Sequence, residues 1–338
     1  MRDIPGPAVV AEALVKTYPG DVRALDGLSL TVQPGEVFGL LGPNGAGKST
    51  TIKILTTLAR PDAGTATVAG FDVLREPDRV RRVIGVVAQR SGADPAATGR
   101  DNLMLQGRLY GLSGVPLKRR VAELLDRFGL TDAAGRAVKT YSGGMQRRLD
   151  VALGLVHRPQ VLFLDEPTTG LDPEARAAMW TEIARLAADD ALAVVLTTHY
   201  LDEADRLAAR LAIVDAGRVV ADGAPETLKG ELRGDAVHLR LRQAAGTEVA
   251  TVLGGLPGVR EITVDGVTVS ARADDGAAAV PGILAALDRA GVPVASVTVA
   301  RPSLDDVYLR YTGRRFNADK TADKTAEKTA ANTLEVVA

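Results

Sequence analysis

The chain has 338 residues, of which 46% are hydrophobic and 25% are charged, and its formal net charge at pH 7 is −1. This length fits one large domain with a smaller one, and the near-neutral charge provides no bulk attraction to nucleic acid or anionic lipid. The absence of cysteine excludes disulfides and thiolate zinc sites, and without a signal core or an apolar run of ~20 residues we expect a soluble chain that reaches a membrane only through a partner.

Short β-like runs separated by turn residues open the chain. The turn pairs are Pro19-Gly20, Asp26-Gly27 and Pro34-Gly35, and such residues favour tight turns over regular strands. We therefore predict strands at residues 9–15, 22–25, 28–32 and 36–41, the last of which is an uninterrupted apolar run.

Residues 42–50 match the phosphate-loop pattern, in which a glycine and four free positions precede Gly-Lys-Ser. They lie between the apolar run 36–41 and a stretch with helical spacing at 51–58, which is the strand–loop–helix context that the pattern requires. Glycine lets backbone N–H groups turn inward around an anion, and the helix N-terminus adds its positive dipole end. We predict that Lys48 reaches the β- and γ-phosphates of a nucleotide and that Ser49 binds Mg²⁺. The candidate nucleotide-binding residues of this loop are Gly42, Pro43, Asn44, Gly45, Ala46, Gly47, Lys48, Ser49 and Thr50.

Strands and helices then alternate up to about residue 230. Strands are predicted at 65–69, 84–88, 161–164 and 193–198, and helical spacing occurs at 101–136 and 173–188. Continuous apolar runs such as 193–198 are typical of parallel strands that are covered on both faces. Asp172 is placed to cap the helix that follows it, and Pro173 occupies the first turn. The pattern predicts an α/β domain built on a mainly parallel sheet.

The apolar strand at 161–164 runs into two adjacent carboxylates, Asp165 and Glu166. A buried strand rarely ends in adjacent acids without a cation nearby. We predict that Asp165 holds the Mg²⁺ shell and that Glu166 polarises the attacking water. The alternative is a helix cap followed by a solvated acid, but a phosphate loop in the same chain favours the first interpretation.

Paired glycines open a second helix within residues 141–148, which read Tyr-Ser-Gly-Gly-Met-Gln-Arg-Arg. The helix N-terminus at Ser142, Gly143 and Gly144 is another ready anion site. Here the chain resembles the ATP-binding-cassette (ABC) family of transporter ATPases, whose signature is Ser-Gly-Gly followed by a glutamine and a basic residue. The resemblance covers residues 8 to about 230 in the family's order, and Tyr141, where leucine is commoner, departs from it at a packing position.

This resemblance implies a P-loop NTPase fold in which antiparallel β and helical subdomains accompany the mainly parallel sheet. It implies that Tyr18 stacks on adenine and that Gln89 couples Mg²⁺ and water to a partner. It also implies that Asp172 lies at a dimer seam and that His199 contacts the γ-phosphate and the water. The implied catalytic residues are Glu166, His199, Lys48 and Gln89, and the implied metal ligands are Ser49, Gln89 and Asp165.

The resemblance further implies a working pair of chains that use ATP and Mg²⁺. Two nucleotide-binding domains meet head to tail, as a homodimer or a heterodimer. Each ATP then lies between the phosphate loop of one chain and residues 142–144 of the other, which gives the second anion site its purpose.

After about residue 232 the sequence adopts a β-α-β-β-α-β pattern, which is ferredoxin-like. Strands are predicted at 237–241, 259–264, 267–271 and 294–299, with helices near 247–254 and 279–290. Asp265-Gly266 is a hairpin signal, and Pro281 obscures the start of the second helix. We therefore divide the chain into a nucleotide-binding domain at 1–232, an α+β accessory domain at 233–315 and a low-complexity tail at 316–338, for which a frayed helix or disorder is expected.

The end of the accessory domain narrows the resemblance. Residues 301–313, Arg-Pro-Ser-Leu-Asp-Asp-Val-Tyr-Leu-Arg-Tyr-Thr-Gly, are similar to the C-terminal module of drug-export ATPase subunits of the daunorubicin/doxorubicin-resistance type. Residues 98–103 also suit that subfamily. The alternative for this segment is a generic amphipathic helix with four apolar side chains facing a core, namely Leu304, Val307, Tyr308 and Tyr311.

The resemblance implies an ATP-hydrolysing subunit that powers export of a hydrophobic small molecule or drug. It would bind a separate integral membrane permease at the cytoplasmic face of the cell membrane, and no nucleic-acid partner is expected. An importer subunit, or another ABC-type export system for lipid or polysaccharide, is an alternative because its ATP chemistry would be identical. An ATPase acting on nucleic acid is a further alternative, but such proteins typically carry long coiled coils or zinc modules where only residues 51–141 intervene here.

Overall fold

The computed structural model describes residues 6–314 and 316, apart from residues 233, 245 and 247, and these residues form two units. The first unit extends to Ala224, and the second runs from Pro225 to Phe316. The sequence places the start of the second domain at residue 233. The tail expected at 316–338 lies outside the described residues, apart from Phe316. No helix in the described part of the chain is long and apolar enough to cross a membrane.

Strands and helices make up most of the described chain. The strands are β1 Val9–Tyr18, β2 Val22–Val32, β3 Val37–Leu41, β4 Ala63–Val68, β5 Phe71–Asp72, β6 Ile84–Val87, β7 Val161–Asp165, β8 Ala193–Thr198, β9 Arg210–Asp215, β10 Arg218–Gly223, β11 Asp235–Leu241, β12 Val259–Asp265, β13 Thr268–Ala273 and β14 Val294–Ala300. The α-helices are α1 Lys48–Leu55, α2 Pro77–Val83, α3 Gly99–Leu109, α4 Gly114–Arg127, α5 Gly143–Leu155, α6 Pro173–Asp190, α7 Leu201–Leu207, α8 Pro225–Gly230, α9 Glu248–Gly254, α10 Gly276–Arg289 and α11 Leu304–Thr312, and a 3₁₀ turn spans Val138–Thr140.

The first unit is built on a six-stranded sheet with the strand order β10-β9-β3-β8-β7-β6. Its neighbouring strands are parallel except for β9 and β10, which confirms the mainly parallel sheet that the apolar runs predict. A second sheet, with the order β2-β1-β4-β5, is antiparallel throughout. The fold class expected from the resemblance is therefore confirmed.

Alternate residues of β7 pack into two hydrophobic cores, one on each face of the parallel sheet. Leu162 and Leu164 pack with α3, α4, α5 and α6, whereas Val161 and Phe163 pack with the antiparallel strands and α1. All four side chains are fully buried. This double coverage explains why the central strands are continuous apolar runs. It also leaves the carboxyl ends of these strands as the edge at which polar residues can meet.

Two boundaries predicted for the first unit are wrong. β2 continues through Asp26-Gly27, because Gly27, at a φ of +80°, is an extra residue opposite β1 and forms a bulge instead of a turn. The helical stretch at 101–136 is two helices, α3 and α4. They are separated because Gly111, at a φ of +79°, ends the first of them.

The second unit contains an antiparallel sheet with the order β12-β13-β11-β14. With α9 and α10, its elements follow the predicted β-α-β-β-α-β order. The predicted hairpin is present, with Gly266 at a φ of +58° between β12 and β13. Helix α10 begins earlier than the sequence indicates, because Asp275 caps it by accepting a hydrogen bond from the Ala278 N–H at 3.0 Å. Pro281 lies inside this helix.

Helix α11 buries three of the four side chains predicted to face a core. Leu304, Val307 and Tyr308 are buried, whereas Tyr311 is 42% exposed. The Tyr311 hydroxyl donates a hydrogen bond to the Glu231 carboxylate at 3.0 Å, so the polar end of this side chain explains its outward position.

Candidate functional site

The phosphate loop connects β3 to α1 and requires glycine at two places. Gly47 has a φ of +112°, and a Cβ there would lie 2.6 Å from the Ala24 carbonyl oxygen. A Cβ on Gly42 would lie 2.3 Å from the Val214 carbonyl oxygen. Both distances are shorter than any real Cβ contact, so the loop can pass this close to its neighbours only with glycine. The result is a tight turn whose end is the N-terminus of α1, beginning at Lys48.

Lys48 is folded back into the loop and is only 5% exposed. Its Nζ donates hydrogen bonds to the carbonyl oxygens of Gly42 at 2.6 Å and Pro43 at 3.0 Å. Burial lowers the pKa of Lys48, while the charges of Glu166 and Asp165 act in the opposite direction. The ammonium group therefore lies between the phosphate loop and the two carboxylates that follow β7.

Asp165 connects the end of β7 to the phosphate loop. Its Oδ1 accepts hydrogen bonds from the Thr197 hydroxyl at 2.5 Å and from the Ser49 hydroxyl at 3.4 Å. The structure thus brings together two of the three predicted metal ligands. A carboxylate and a hydroxyl fit Mg²⁺, which takes oxygen ligands and usually completes its shell with water and substrate phosphates. No group of three or more His, Asp or Glu side chains arranged to hold a metal is found within the described residues.

Glu166 lies at the centre of the predicted catalytic residues. Its Oε2 accepts hydrogen bonds from Gln89 Nε2 and from the Thr169 hydroxyl, both at 3.2 Å. Its Oε1 lies 3.0 Å from His199 Nδ1, a nitrogen that makes no hydrogen bond among the described residues. Contact with His199 is the main cause that lowers the pKa of Glu166; burial opposes it, and the charge of Lys48 adds to the lowering. The carboxylate is thus held in its ionised form.

The backbone of Glu166 is strained, with a φ of +48°. Non-glycine residues adopt this region only when the surrounding structure holds them there, and such residues are common at active sites. Two contacts with Thr197 provide part of this support, because the Glu166 N–H lies 3.2 Å from the Thr197 carbonyl oxygen and 3.0 Å from its hydroxyl. The sequence carries no signal of this conformation.

Ser142 and Asp172 act as helix caps in this chain. The Ser142 hydroxyl accepts a hydrogen bond from the Met145 N–H at 3.2 Å, and Asp172 Oδ1 accepts one from the Ala175 N–H at 2.8 Å. The two capped N-termini are neighbours, since a Cβ on Gly144 would lie 3.0 Å from Ala175 Cβ. Asp172 therefore caps α6 as predicted. The contacts shown for both residues lie at these helix ends, not at the Lys48–Glu166 cluster.

The contacts made by Tyr18 and Gly143 also lie outside the carboxylate cluster. Tyr18 ends β1 and is partly buried, with Lys16 Nζ 5.7 Å from its ring centroid. Gly143 is exposed, and no atom lies within 4 Å of a Cβ built on it. Both residues are thus accessible to a ligand that approaches from outside the chain.

Arg147 is an important residue that sequence reasoning missed. It is 7% exposed, and its guanidinium donates to a set of backbone carbonyl oxygens at the ends of β6 and β7. These belong to Ala88 at 2.6 Å, Pro167 at 2.7 Å, Asp165 at 3.0 Å and Glu166 at 3.2 Å. The signal that could have found it is the basic residue of the signature itself, which ties α5 to the segment that carries the carboxylates.

Comparison with protein-family models gives two matches along the chain. A model described as ABC transporter matches residues 25–169. A second model, described as the C-terminal domain of ATP-binding proteins like DrrA1-3, matches residues 223–312. The two matches lie in the first and second units, apart from two residues at the junction.

Curated relatives match over nearly the whole chain. It is 49% identical over 317 residues to the daunorubicin/doxorubicin resistance ATP-binding protein DrrA of Streptomyces peucetius, covering 93% of this chain and 94% of that one. It is 44% identical over 310 residues to the doxorubicin resistance ATP-binding protein DrrA of Mycobacterium tuberculosis, covering 90% and 93%. It is also 37% identical over 317 residues to a Nod factor export ATP-binding protein of Ralstonia nicotianae, covering 91% and 94%.

Solved structures match the nucleotide-binding part of the chain. An ATP-binding subunit of an ABC transporter superposes with a TM-score of 0.60 at 28% identity, over 66% of this chain and 92% of that one. A dimeric ATP-binding cassette in a post-hydrolysis state, bound to ADP and Pi, superposes with a TM-score of 0.59 at 27% identity, over 64% and 98%.

Proposed function

The chain belongs to the ABC transporter family as an ATP-hydrolysing subunit, and on this premise we propose that it powers export of a hydrophobic small molecule or drug through a separate membrane permease. Relatives named for daunorubicin or doxorubicin resistance match nine-tenths or more of its length, and the second unit matches a DrrA-like model. The words resistance and export in the names of its relatives support export over import or a role on nucleic acid.

The observation that carries the ATP-hydrolysing part of the proposal is the environment of Glu166. Gln89, Thr169 and His199 surround its carboxylate, and the neighbouring Asp165 contacts Ser49 of the phosphate loop. One edge of the parallel sheet therefore combines an ionised carboxylate, a buried ammonium and a hydroxyl–carboxylate pair. Phosphoryl transfer to water requires groups of these kinds, since such catalysis is mostly positioning and charge stabilisation.

We assign the steps of hydrolysis to these residues. Lys48 exchanges its carbonyl partners for the β- and γ-phosphate oxygens of ATP. Ser49 and Asp165, with Gln89, would hold Mg²⁺, which would supply positive charge to offset that of the nucleotide's phosphates. Glu166 accepts a hydrogen bond from the attacking water and polarises it. His199, on the other oxygen of the same carboxylate, contacts the γ-phosphate and orients the water.

The remaining predicted residues are proposed to act in a dimer. One ATP is enclosed between residues 42–50 of one chain and residues 142–144 of the other. Tyr18 stacks on its adenine, and Asp172 lies at the dimer seam. The exposed N-terminus of α5 supports this arrangement, because an exposed helix N-terminus can bind phosphate. ABC subunits of this kind dimerise and work with membrane permeases. We propose a homodimer or heterodimer held by its permease at the cytoplasmic face of the membrane.

The domain assignment completes the proposal. Residues 1–232 form the nucleotide-binding domain, residues 233–315 an accessory domain, and residues 316–338 a tail that does not take part in catalysis. The match of a DrrA-like C-terminal model to residues 223–312 supports the presence of the accessory domain.

A transport assay tests the function. The chain and a candidate membrane permease are expressed together in a drug-sensitive host, and efflux of daunorubicin is followed by the drug's own fluorescence. We expect efflux only when both proteins are present, and loss of efflux in Glu166→Gln at equal protein level. Drug accumulation above the level of cells without the pair would indicate import, and efflux undiminished in Glu166→Gln would reject the proposal.

A further inference from the structure

Glu203, on α7, is a buried carboxylate outside the proposed nucleotide contacts. It is 1% exposed. Its Oε1 accepts hydrogen bonds from the Thr168 hydroxyl at 2.7 Å and from the Trp180 indole N–H at 3.1 Å. Its Oε2 is buried and has no hydrogen-bond partner among the described residues. One carboxylate oxygen thus serves two donors that come from different segments.

These segments are the ones that carry the proposed catalytic residues. Thr168 is fully buried and follows Glu166 by two positions. Trp180 lies on α6, the helix that Asp172 caps. Glu203 itself lies on α7, which starts directly after His199 and Tyr200. The Glu203 carboxylate is therefore a junction of three segments: the one after the base, the helix of the dimer seam, and the helix after the histidine.

Arg147 holds the same segment from the other side. Its guanidinium donates to the carbonyl oxygens of Glu166 and Pro167, while the Thr168 hydroxyl donates to Glu203. The strained backbone of Glu166, at a φ of +48°, directly precedes these attachments in the chain. A conformation of this kind persists only where its surroundings over-determine it. The two attachments together thus fix where the Glu166 carboxylate points.

Stability alone does not explain a carboxylate at this position. A buried charge is costly unless it is paired and fully hydrogen-bonded, and well-packed apolar residues are often as stable or more so. Glu203 has two uncharged donors and an unpartnered oxygen, with attraction from the Arg147 guanidinium as partial compensation. A buried polar group that is left unsatisfied calls for an explanation, and a positioning role is one that also accounts for the two hydrogen bonds of Oε1.

We infer that Glu203 and Thr168 are positioning residues that hold the Glu166 segment in register with the helices following Asp172 and His199, so that the state of the nucleotide site is transmitted to Trp180. This inference rests on the proposed role of Glu166 as the residue that polarises water. Neither Glu203 nor Thr168 touches the reacting atoms. Their effect on the rate is exerted through the backbone of Glu166.

The first test compares two substitutions of Thr168 with opposite chemistry. Thr168→Val keeps the shape and removes the hydroxyl, whereas Thr168→Ser keeps the hydroxyl and removes a methyl group. We expect Thr168→Val to lower kcat at least about tenfold with a KM for ATP within about twofold of wild type, because a misplaced base impairs chemistry more than binding. Thr168→Ser should keep most of the rate. A role in packing alone predicts the reverse order and would overturn the inference.

Thr181→Val is the matched control, since Thr181 is exposed on α6 and its hydroxyl donates a hydrogen bond to the Ala177 carbonyl oxygen of its own helix. Rates are expressed per ATP-binding site titrated, so that a loss of folded protein is not counted as a loss of kcat. If Thr168→Val does not fold, Trp180→Phe removes the other donor and keeps an aromatic ring. If the Trp180→Phe variant and the Glu203→Gln variant both have the wild-type kcat, the inference is overturned.

The second test uses Trp180 as a spectroscopic reporter, because it is the one tryptophan of the chain. In a Glu166→Gln background, which keeps ATP bound, ATP should shift the Trp180 emission, and adding Thr168→Val should abolish the shift while ATP binding persists. An identical shift with and without Thr168→Val would overturn the coupling to Trp180. Failure of the underlying function is distinguishable, because Glu166→Gln alone would then hydrolyse ATP at the wild-type rate.

Discussion

Replacing Glu166 by glutamine changes the proposed base without changing its size. The hydrogen bonds that Gln89 and Thr169 donate to Oε2 can be kept by the glutamine carbonyl oxygen, so the loop should stay in place. The negative charge beside His199 and Lys48 is lost, and with it the ability to take a proton from water. We expect kcat to fall at least ~100-fold, the lower value for a positioned base, which corresponds to about 2.7 kcal/mol of transition-state free energy.

ATP binding should survive this substitution, because Lys48, Ser49 and the glycine turn are unaltered. Steady-state phosphate release gives kcat, equilibrium binding of ATP gives Kd, and gel filtration with ATP should show accumulated dimers. Glu226→Gln, at a side chain that is 86% exposed, makes the same chemical change at a residue that is not assigned to the site and should leave every value unchanged. If Glu166→Gln hydrolysed ATP at more than about a tenth of the wild-type rate, the base would have to be another residue.

Four further predictions follow from individual residues. Tyr18→Ala should raise the KM for ATP a few-fold to tenfold and Tyr18→Trp should restore it, since stacking contributes about 0.5–1.5 kcal/mol beyond burial; an unchanged KM would show that Tyr18 only packs. In Arg147→Lys the new side chain cannot reach all four carbonyl oxygens, so the free energy of unfolding in urea titrations should fall by about 1.5–3 kcal/mol. An unchanged free energy of unfolding would show that these hydrogen bonds are dispensable. Burial lowers the pKa of His157 to about 4, so NMR should show a neutral ring at pH 5.5–6. The free energy of unfolding should fall as the pH drops from about 6.5 toward 4, because the unfolded chain binds the proton first. A ring that titrates near its ordinary value would contradict this. Mixing Lys48→Ala chains with Ser142→Arg chains should restore hydrolysis, because random pairing makes about half the dimers mixed, each with one intact shared site. A shared site would be contradicted by two results together. The first is no rescue in a sample shown by mass to contain mixed dimers, and the second is no crosslink between cysteines placed near Ser49 and Ser142 of different chains.

The parts of the fold that follow from periodicity could be predicted from the sequence. The apolar runs that became β7 and β8 are buried on both faces, and double burial leaves a continuous hydrophobic signal. The Asp265-Gly266 hairpin and the Asp172 cap are equally local, because each depends on the chemistry of one or two residues. Where two local structures share one signal, prediction failed. Asp26-Gly27 suits a turn and a bulge alike, and only the pairing of β2 with β1 selects the bulge.

The candidate site was predictable to the extent that its residues belong to motifs. Asp165 is the last residue of a parallel strand, and Gln89, Glu166 and His199 come shortly after the ends of such strands. These ends share one edge of the sheet. The support around them was not predictable. The residue type of Glu166 gives no indication of its positive φ. The burial of Glu203 depends on α6 and on the segment after β7, which cover it in the folded chain, so a glutamate in a short helix does not predict it.

Under the proposed dimer, the position of the signature explains why one site would need residues of two chains. Ser142 and Asp172 cap neighbouring helices, and their contacts are turned toward those helix ends, whereas Lys48 and Glu166 share another cluster. If both groups act on the same ATP, the link between them has to come from a second copy. The Glu203 junction would then couple the two sites, because it connects Glu166, which would face the chain's own nucleotide, to α6, whose N-terminus would face the partner's nucleotide. Breaking it by Thr168→Val should therefore impair hydrolysis more than binding, and should do so without touching either ligand-binding surface.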